Sequence, residues 1–405
     1  MDVISFSLLL LIFILLIKKF YKYNHLIILI PIIYLVLILY STIIANFFPL
    51  NMIVGKPDQY LYFNFALNYT KEHISTTNVF DIFINSANDK DWMHPLYWGI
   101  STFYYHTSLF DWIIGLRILN FLSHLIIGYY AYLTLMLLTE NKIKSFIGMM
   151  IIFITPTFLI FDIYIIRDTL IIASSSVAFY YVIKFYYIKF SFLEYIYFFF
   201  LLCFIFLLRQ QLSITFLLMI IMISLLNIFN LNRIKVILFY SVIMLILIYF
   251  TIIFLSLSGG IFSIVKEILT AFINLDFIIE YSKKYIIYFF GLGFLDFEKV
   301  TMSNIIPIIV SRLSAFDSIL IPGLFFYFIV KGYLKEYRIL IFIILFTYSL
   351  YFSVYMVADI IWNRFGFSFR ALLPFFYIFY IFVLTNIHKL NFKFFNIKIN
   401  SKGLK

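Results

Sequence analysis

Long apolar segments alternate with short polar ones along most of the chain. An α-helix needs about 20 apolar residues to cross the hydrocarbon core of a bilayer, and somewhat fewer at the low end of the range. The pattern therefore predicts eleven membrane-spanning helices, at about residues 3–17, 26–48, 109–138, 145–161, 169–183, 193–208, 212–229, 236–257, 305–330, 339–357 and 371–387. The predicted fold is all-α, a polytopic integral membrane protein whose residues 1–405 form a single transmembrane domain.

The distribution of basic residues indicates how these helices are oriented. If the N-terminus is outside, the inner loops and the C-terminal tail hold 17 of the 30 lysines and arginines but only three of the 19 acidic residues. Because Lys and Arg collect on the cytoplasmic side of membrane proteins, the sequence predicts an outer N-terminus and an inner C-terminus. Two long outer loops follow, at about residues 49–108 and 258–304, and we expect both to contain helices that lie in the membrane interface.

Composition supports a membrane protein and excludes several other classes. With 64% hydrophobic and 12% charged residues, the chain has too few polar side chains to cover a surface that faces water. The net charge of +11 is explained by the inner loops, so no nucleic-acid partner is expected. The single cysteine, Cys203, excludes an intrachain disulfide and a cysteine-based metal site. Segment 3–17 lacks basic residues before it and a cleavage site after it, which argues against a cleaved signal peptide.

Several charged residues fall within or beside the predicted spans, where a charge costs about 2.5 kcal/mol or more. Apart from Arg117 in the third span, those on the outer side are Arg167, Asp168, Arg209, Arg312, Arg364 and Arg370. A guanidinium binds phosphate oxygens through two parallel hydrogen bonds and stays charged when it is desolvated. The set would therefore suit a lipid-linked phosphate or pyrophosphate. The alternative is that each arginine reaches the outer head groups or pairs with a nearby acid.

Asp58 is the candidate catalytic residue, and it lies in the outer-loop stretch VGKPDQYLYFNFALNYTKEH. It follows Pro57 and precedes a helical pattern, so it could simply cap that helix. If a helix starts there, Asp58 shares a face with Tyr62, Phe65 and Tyr69, whose rings could stack on sugars. A carboxylate in that position could also take the proton of an attacking hydroxyl as a general base. The two interpretations are compatible.

Other polar residues of the same loop carry weaker signals. His94, in MHPLYWG, and His106 are more typical of residues that orient a loop, although we count His94 among the substrate-binding candidates. Asp89 and Asp91 could bind a divalent cation together with Asp58, but acids in a polar loop are usually solvated. No cofactor is therefore expected, and the cation is only a weak hypothesis.

A set of short motifs resembles two related groups of membrane enzymes. The motifs are VGKPDQYLY after the second predicted span, HPLYW followed by LRILN, TPTFLIF leading to IIRDTLII, and RALLPF near the end. The first group is the Wzy-type polysaccharide polymerases, including EpsG-like proteins, and the second is the GT-C glycosyltransferases. VGKPDQYLY and IIRDTLII are similar to the EpsG-like pattern, whereas HPLYW and LRILN are closer to GT-C. GT-C enzymes commonly start inside and carry their aspartate after the first span, whereas two predicted spans precede Asp58 in this chain.

The resemblance implies a glycosyltransferase of surface polysaccharide biosynthesis, such as O-antigen (lipopolysaccharide) or capsule. Such an enzyme polymerises undecaprenyl-diphosphate-linked repeat units at the outer face of the bacterial cytoplasmic membrane, with transfer of one sugar from a polyprenyl-phosphate donor as the alternative. Its partners would be the lipid-linked glycan, membrane lipids and a chain-length regulator. Asp58 would be the base and Tyr62 would contact the sugar, while the outer arginines would stabilise charge on the leaving phosphate.

A flippase of lipid-linked glycans is the main alternative from a different class. Such a transporter should carry polar residues through the middle of several spans and show internal pseudo-symmetry. The sequence predicts spans that are apolar through their centres, with polar residues gathered at one side of the membrane. This pattern favours an enzyme that acts at the outer surface.

Overall fold

The computed structural model describes residues 112–158, 167–188, 190–229, 305–362 and 372–387, together with four residues at 278–279 and 282–283. The predicted spans at 3–17, 26–48 and 236–257 lie outside these residues, as do the outer loop 49–108 and most of the loop 258–304. Within the described ranges the chain is helical and contains no strand. The all-α prediction is therefore confirmed for this part of the protein.

The helices coincide with apolar segments of the sequence, and most of their ends fall within a few residues of the predicted ones. They are α1 Trp112–Thr139, α2 Lys142–Ile154, α3 Asp168–Tyr187, α4 Phe192–Leu208, α5 Gln210–Phe229, α6 Ile305–Val330, α7 Arg338–Trp362 and α8 Leu373–Asn386. A short 3₁₀ helix, Lys335–Tyr337, leads into α7.

Among the residues that the structure describes, three helical segments are long and apolar enough to cross a membrane, judged by length and composition. They are Leu122–Thr139, Asp168–Tyr187 and Lys335–Ser353. Shorter apolar helical segments come from α4, α5, α6 and α8. Together these helices indicate that the protein associates with a membrane.

Helix α8 lies at the centre of the described bundle. All of its residues from Leu373 to Asn386 are buried, and it packs against α3, α6 and α1. Aromatic rings fill the contact with α6, where Phe325 stacks on Phe379 with ring centroids 4.5 Å apart. Helix α3 presents a run of small buried residues, 173–176 and Ala178, and small side chains allow close approach between helices.

Two ion pairs show that α3 and α4 are antiparallel neighbours. Asp168 at the start of α3 pairs with Arg209 after the end of α4. Lys184 near the end of α3 pairs with Glu194 in the first turn of α4. The two ends of this helix pair therefore carry separate charged groups.

Helix α2 is shorter than predicted, because it ends at Ile154 rather than near residue 161. Thr155 adopts an extended conformation, and a short turn of helix follows over 156–158. Pro156 causes the break, since proline has no N–H to donate and disfavours helical backbone in the residue before it. The N–H of Thr155 instead reaches the carbonyl of Ile152, at 3.3 Å.

Candidate functional site

Arg167, Asp168 and Arg209 meet at one end of the α3–α4 pair, and we call them the arginine cluster. Arg167 precedes α3 as its N-cap residue, and Asp168 is the first residue of the helix. An acidic side chain is favourable there because the helix N-terminus carries a partial positive charge. The sequence RDT therefore places a cation and an anion side by side at the entry to an apolar helix.

Arg209 reaches this position because it links two antiparallel helices. It is the residue between α4 and α5, with φ −160° and ψ 96°, so the helical path is interrupted there. Its N–H donates to the carbonyl of Ile205, and its own carbonyl accepts from the N–H of Leu212 at 3.1 Å. On the neighbouring turns, Ser213 Oγ donates to the carbonyl of Leu202 at 2.8 Å, which ties the start of α5 to α4. Hydrogen bonds to both α4 and α5 thus fix the conformation of the link at Arg209.

The ion pair of the cluster is buried. Arg209 Nη2 lies 3.6 Å from Asp168 Oδ1, and the side chains are 8% and 1% exposed. A buried pair of this kind costs desolvation energy on both partners, and it is strongly destabilising to break because one charge is then left behind. Asp168 therefore fixes where the Arg209 guanidinium lies.

Arg167 approaches the same place from the other helix and is more exposed than Arg209. Its Nη1 donates to the carbonyl of Leu208, the last residue of α4, at 3.4 Å. That carbonyl belongs to the helix C-terminus, where a cation is favourable. The three side chains sum to one positive charge, in a setting where little water screens it.

A cationic group of this kind can attract and orient an anion. Guanidinium groups bind phosphate or carboxylate oxygens with defined geometry and keep their charge in an apolar setting. The pairing of Arg209 with Asp168 also matches the alternative interpretation of the sequence, in which an arginine pairs with a nearby acid. Arg209 thus has an acidic partner in Asp168, and Arg167 donates to a carbonyl at the end of α4.

The structure brings together three of the predicted site residues. Arg312 lies on α6, where the backbone alone is described. The remaining predicted residues lie outside the described ranges; they are Asp58, Tyr62, His94, Arg364 and Arg370. In the described part of the chain, no group of three or more His, Cys, Asp or Glu side chains is placed to hold a metal ion.

Sequence analysis missed a second polar group, which is centred on Asp317 in α6. The carboxyl of Asp317 accepts hydrogen bonds from Thr157, at 2.6 Å, and from the hydroxyl of Tyr380. The signal was present in the sequence, since Asp317 is an acidic residue inside the apolar segment 305–330. Intramembrane acids of this type are candidate functional residues by default.

Helix α1 also carries polar residues that sequence analysis did not single out. Asn120, Ser123 and His124 are all buried. His124 Nε2 lies 3.1 Å from the carbonyl oxygen of Phe153, just before the α2 break. A carbonyl only accepts, so Nε2 carries the proton of this bond. The expectation that the spans are apolar through their centres is therefore wrong for α1 and α6.

Comparison of the chain with models of known protein families, with curated protein sequences and with solved structures finds no match.

Proposed function

We propose that this protein is a membrane glycosyltransferase that polymerises undecaprenyl-diphosphate-linked repeat units of a surface polysaccharide. It acts at the outer face of the bacterial cytoplasmic membrane, with eleven spans, an outer N-terminus and an inner C-terminus. The observation that carries the proposal is the arginine cluster, a buried cationic group at the predicted outer end of α3 and α4. Such a group suits a phosphate held at the membrane surface.

In the proposed reaction, a hydroxyl of one glycan attacks the anomeric carbon of a sugar on its lipid diphosphate. A new C–O bond forms, the bond between the sugar and the phosphate oxygen breaks, and the lipid diphosphate leaves. Asp58 takes the proton of the attacking hydroxyl as general base. Negative charge grows on the leaving phosphate, and Arg167 and Arg209 stabilise it.

The roles of the two arginines differ in this proposal. Asp168 neutralises part of the field of Arg209 and holds its guanidinium in place. Arg167 is the more exposed of the two and lies in contact with the end of α4. We therefore assign the first contact with the incoming diphosphate to Arg167, and the positioning of the cluster to the pair of Arg209 and Asp168.

The test is a gel of the surface glycan from a deletion strain that carries variants of this chain. Arg167→Met should reduce the long-chain ladder about 100-fold or more, as removal of one stabilising donor does in other enzymes. Arg167→Lys should restore only part of the product, because an ammonium lacks the planar pair of parallel N–H donors that a guanidinium presents to two phosphate oxygens. Lys184→Met is the matched control, since it removes a charge from the opposite end of the same helix.

The appearance of the gel also separates the alternatives. Loss of the ladder with a single capped repeat left indicates a polymerase, whereas a ladder of normal length that lacks one sugar indicates a single-sugar transferase. Asp58→Asn should abolish the ladder in the same way, with the protein still present in the membrane. A full ladder from Arg167→Met and from Arg209→Met would refute the role of the cluster.

The second candidate function is a flippase of lipid-linked glycans. The group around Asp317 and the break after α2 favour it, because transporters carry polar residues and interrupted helices in their interior. In the deletion strain, this function predicts that complete repeat units accumulate on the inner face of the membrane. Units that are exposed outside but not joined would argue for the polymerase.

A further inference from the structure

Asp317 is held by hydroxyl groups from two other segments of the chain. Thr157, in the turn after α2, donates through Oγ1 to Oδ2 of Asp317 at 2.6 Å. Tyr380, on α8, donates to Oδ1. The three residues are 9%, 0% and 3% exposed, in the order Asp317, Thr157 and Tyr380. The carboxyl thus joins three segments in the interior of the bundle.

The partners of Asp317 differ in kind from those of Asp168, a second buried acid. Arg209 can only donate, so a proton on the paired oxygen of Asp168 would oppose their contact. A Thr or Tyr hydroxyl both donates and accepts. Both contacts of Asp317 can therefore persist whether or not its carboxyl carries a proton, provided that one hydroxyl changes from donor to acceptor.

Burial gives this difference an energetic consequence. A carboxylate taken out of water loses most of its hydration, and hydrogen bonds from neutral hydroxyls replace only a small part of that loss. Adding a proton removes the charge and keeps the hydrogen bonds. The site is therefore able to exchange a proton at a lower cost than the ion pair of Asp168 and Arg209.

In the described ranges, the turn after α2 and helix α8 both contact the carboxyl of Asp317. The turn after α2 presents the hydroxyl and the backbone N–H of Thr157, and α8 presents the hydroxyl of Tyr380, so the groups that contact the carboxyl are uncharged. On α1, the buried His124 contacts the carbonyl of Phe153, four residues before Thr157.

We propose that Asp317, Thr157 and Tyr380 form a proton-binding site in the apolar interior of the bundle. The carboxyl of Asp317 takes up and releases one proton there, while its contacts with both hydroxyls are kept. Uptake forms an O–H bond on one carboxyl oxygen and involves no change of oxidation state. The new O–H donates to one hydroxyl oxygen, and that hydroxyl turns its own proton elsewhere. The inference does not rest on the proposed function.

Infrared difference spectroscopy of the purified full chain tests this site directly. Spectra recorded between about pH 5 and about pH 8, the range in which biological proton switches operate, should show the C=O stretch of a protonated carboxyl disappearing as the pH rises. Asp317→Asn keeps the size of the side chain and should lose this band. Asp168→Asn is the matched control and should keep it. Tyr380→Phe should shift the pH at which the band disappears.

The outcome is decisive in either direction. If wild type and Asp317→Asn give the same difference spectra over this range, Asp317 keeps one protonation state and the proposal is wrong. Should Asp317→Asn fail to fold, the wild type can be labelled with a hydrophobic carbodiimide, which reacts with protonated carboxyls. An adduct on Asp317 that decreases as the pH rises supports the site, whereas labelling of Asp168 without labelling of Asp317 overturns it.

Discussion

The pair of Asp168 and Arg209 predicts a large and strongly coupled effect on stability. At 3.6 Å, two opposite unit charges attract by about 5 kcal/mol for an effective dielectric constant of about 20. Removing one partner of such a buried pair typically costs about 3–5 kcal/mol, because the other charge stays buried alone. We therefore expect Arg209→Met to lower the free energy of unfolding by about that amount, and Asp168→Asn to act in the same direction.

The double variant separates this coupling from the other contacts of each residue. Asp168→Asn with Arg209→Met should be more stable than the sum of the single losses predicts, by about 2–3 kcal/mol, since neither charge is left behind. Unfolding of the detergent-solubilised protein, followed by its helical circular dichroism, measures all three variants. The control is Lys184→Met: the side chains of Lys184 and Glu194 are about a fifth exposed, whereas those of Arg209 and Asp168 are 8% and 1% exposed, so the loss for Lys184→Met should be clearly smaller than that for Arg209→Met. Equal losses for Arg209→Met and Lys184→Met, or strictly additive single losses, would refute the reasoning.

Two further predictions concern packing and a buried hydrogen bond. Gly128→Ala should lower the free energy of unfolding by about 1–3 kcal/mol, because the added Cβ would lie 2.3 Å from the buried ring of Phe153. The same unfolding measurement checks this prediction. The loss should be smaller when Gly128→Ala is combined with Phe153→Leu. Tyr337→Phe should cost about 1–2 kcal/mol, because the carbonyl of Leu138 then loses a donor at 2.8 Å. A Tyr337→Phe variant as stable as wild type would show that another donor replaces the hydroxyl.

Hydropathy was sufficient to locate the described helices. A long apolar segment in a membrane must form its backbone hydrogen bonds within itself, and an α-helix satisfies this requirement. The same alternation placed Arg167 and Asp168 at the same end of the bundle as Arg209. Whether Arg209 would pair with Asp168 or extend to head groups was left open. That choice depends on the rotation of α3 against α4, and the sequence period does not determine it.

Asp317 could not be placed from local sequence, although it was visible as an acid within an apolar segment. The hydrogen bonds of its carboxyl come from Thr157, which is 160 residues away, and from Tyr380, which is 63 residues away. Neither residue has a pattern that marks it as a partner of a carboxyl group. The early end of α2 was easier to predict from the sequence, because Pro156 alone is enough to interrupt the helix. The motif TPTFLIF contained that signal.

The break after α2 also has a consequence for the order of events during synthesis. Thr157 leaves the ribosome 160 residues before Asp317 does, and Tyr380 follows Asp317 after another 63 residues. At about 5–20 residues per second, these delays correspond to roughly 8 to 32 seconds for Asp317 and about 3 to 13 seconds more for Tyr380. The contact between His124 and Phe153, separated by only 29 residues, is available much earlier. During synthesis, the contact of His124 with Phe153 can therefore form before the contacts of Asp317, which require α6 and α8.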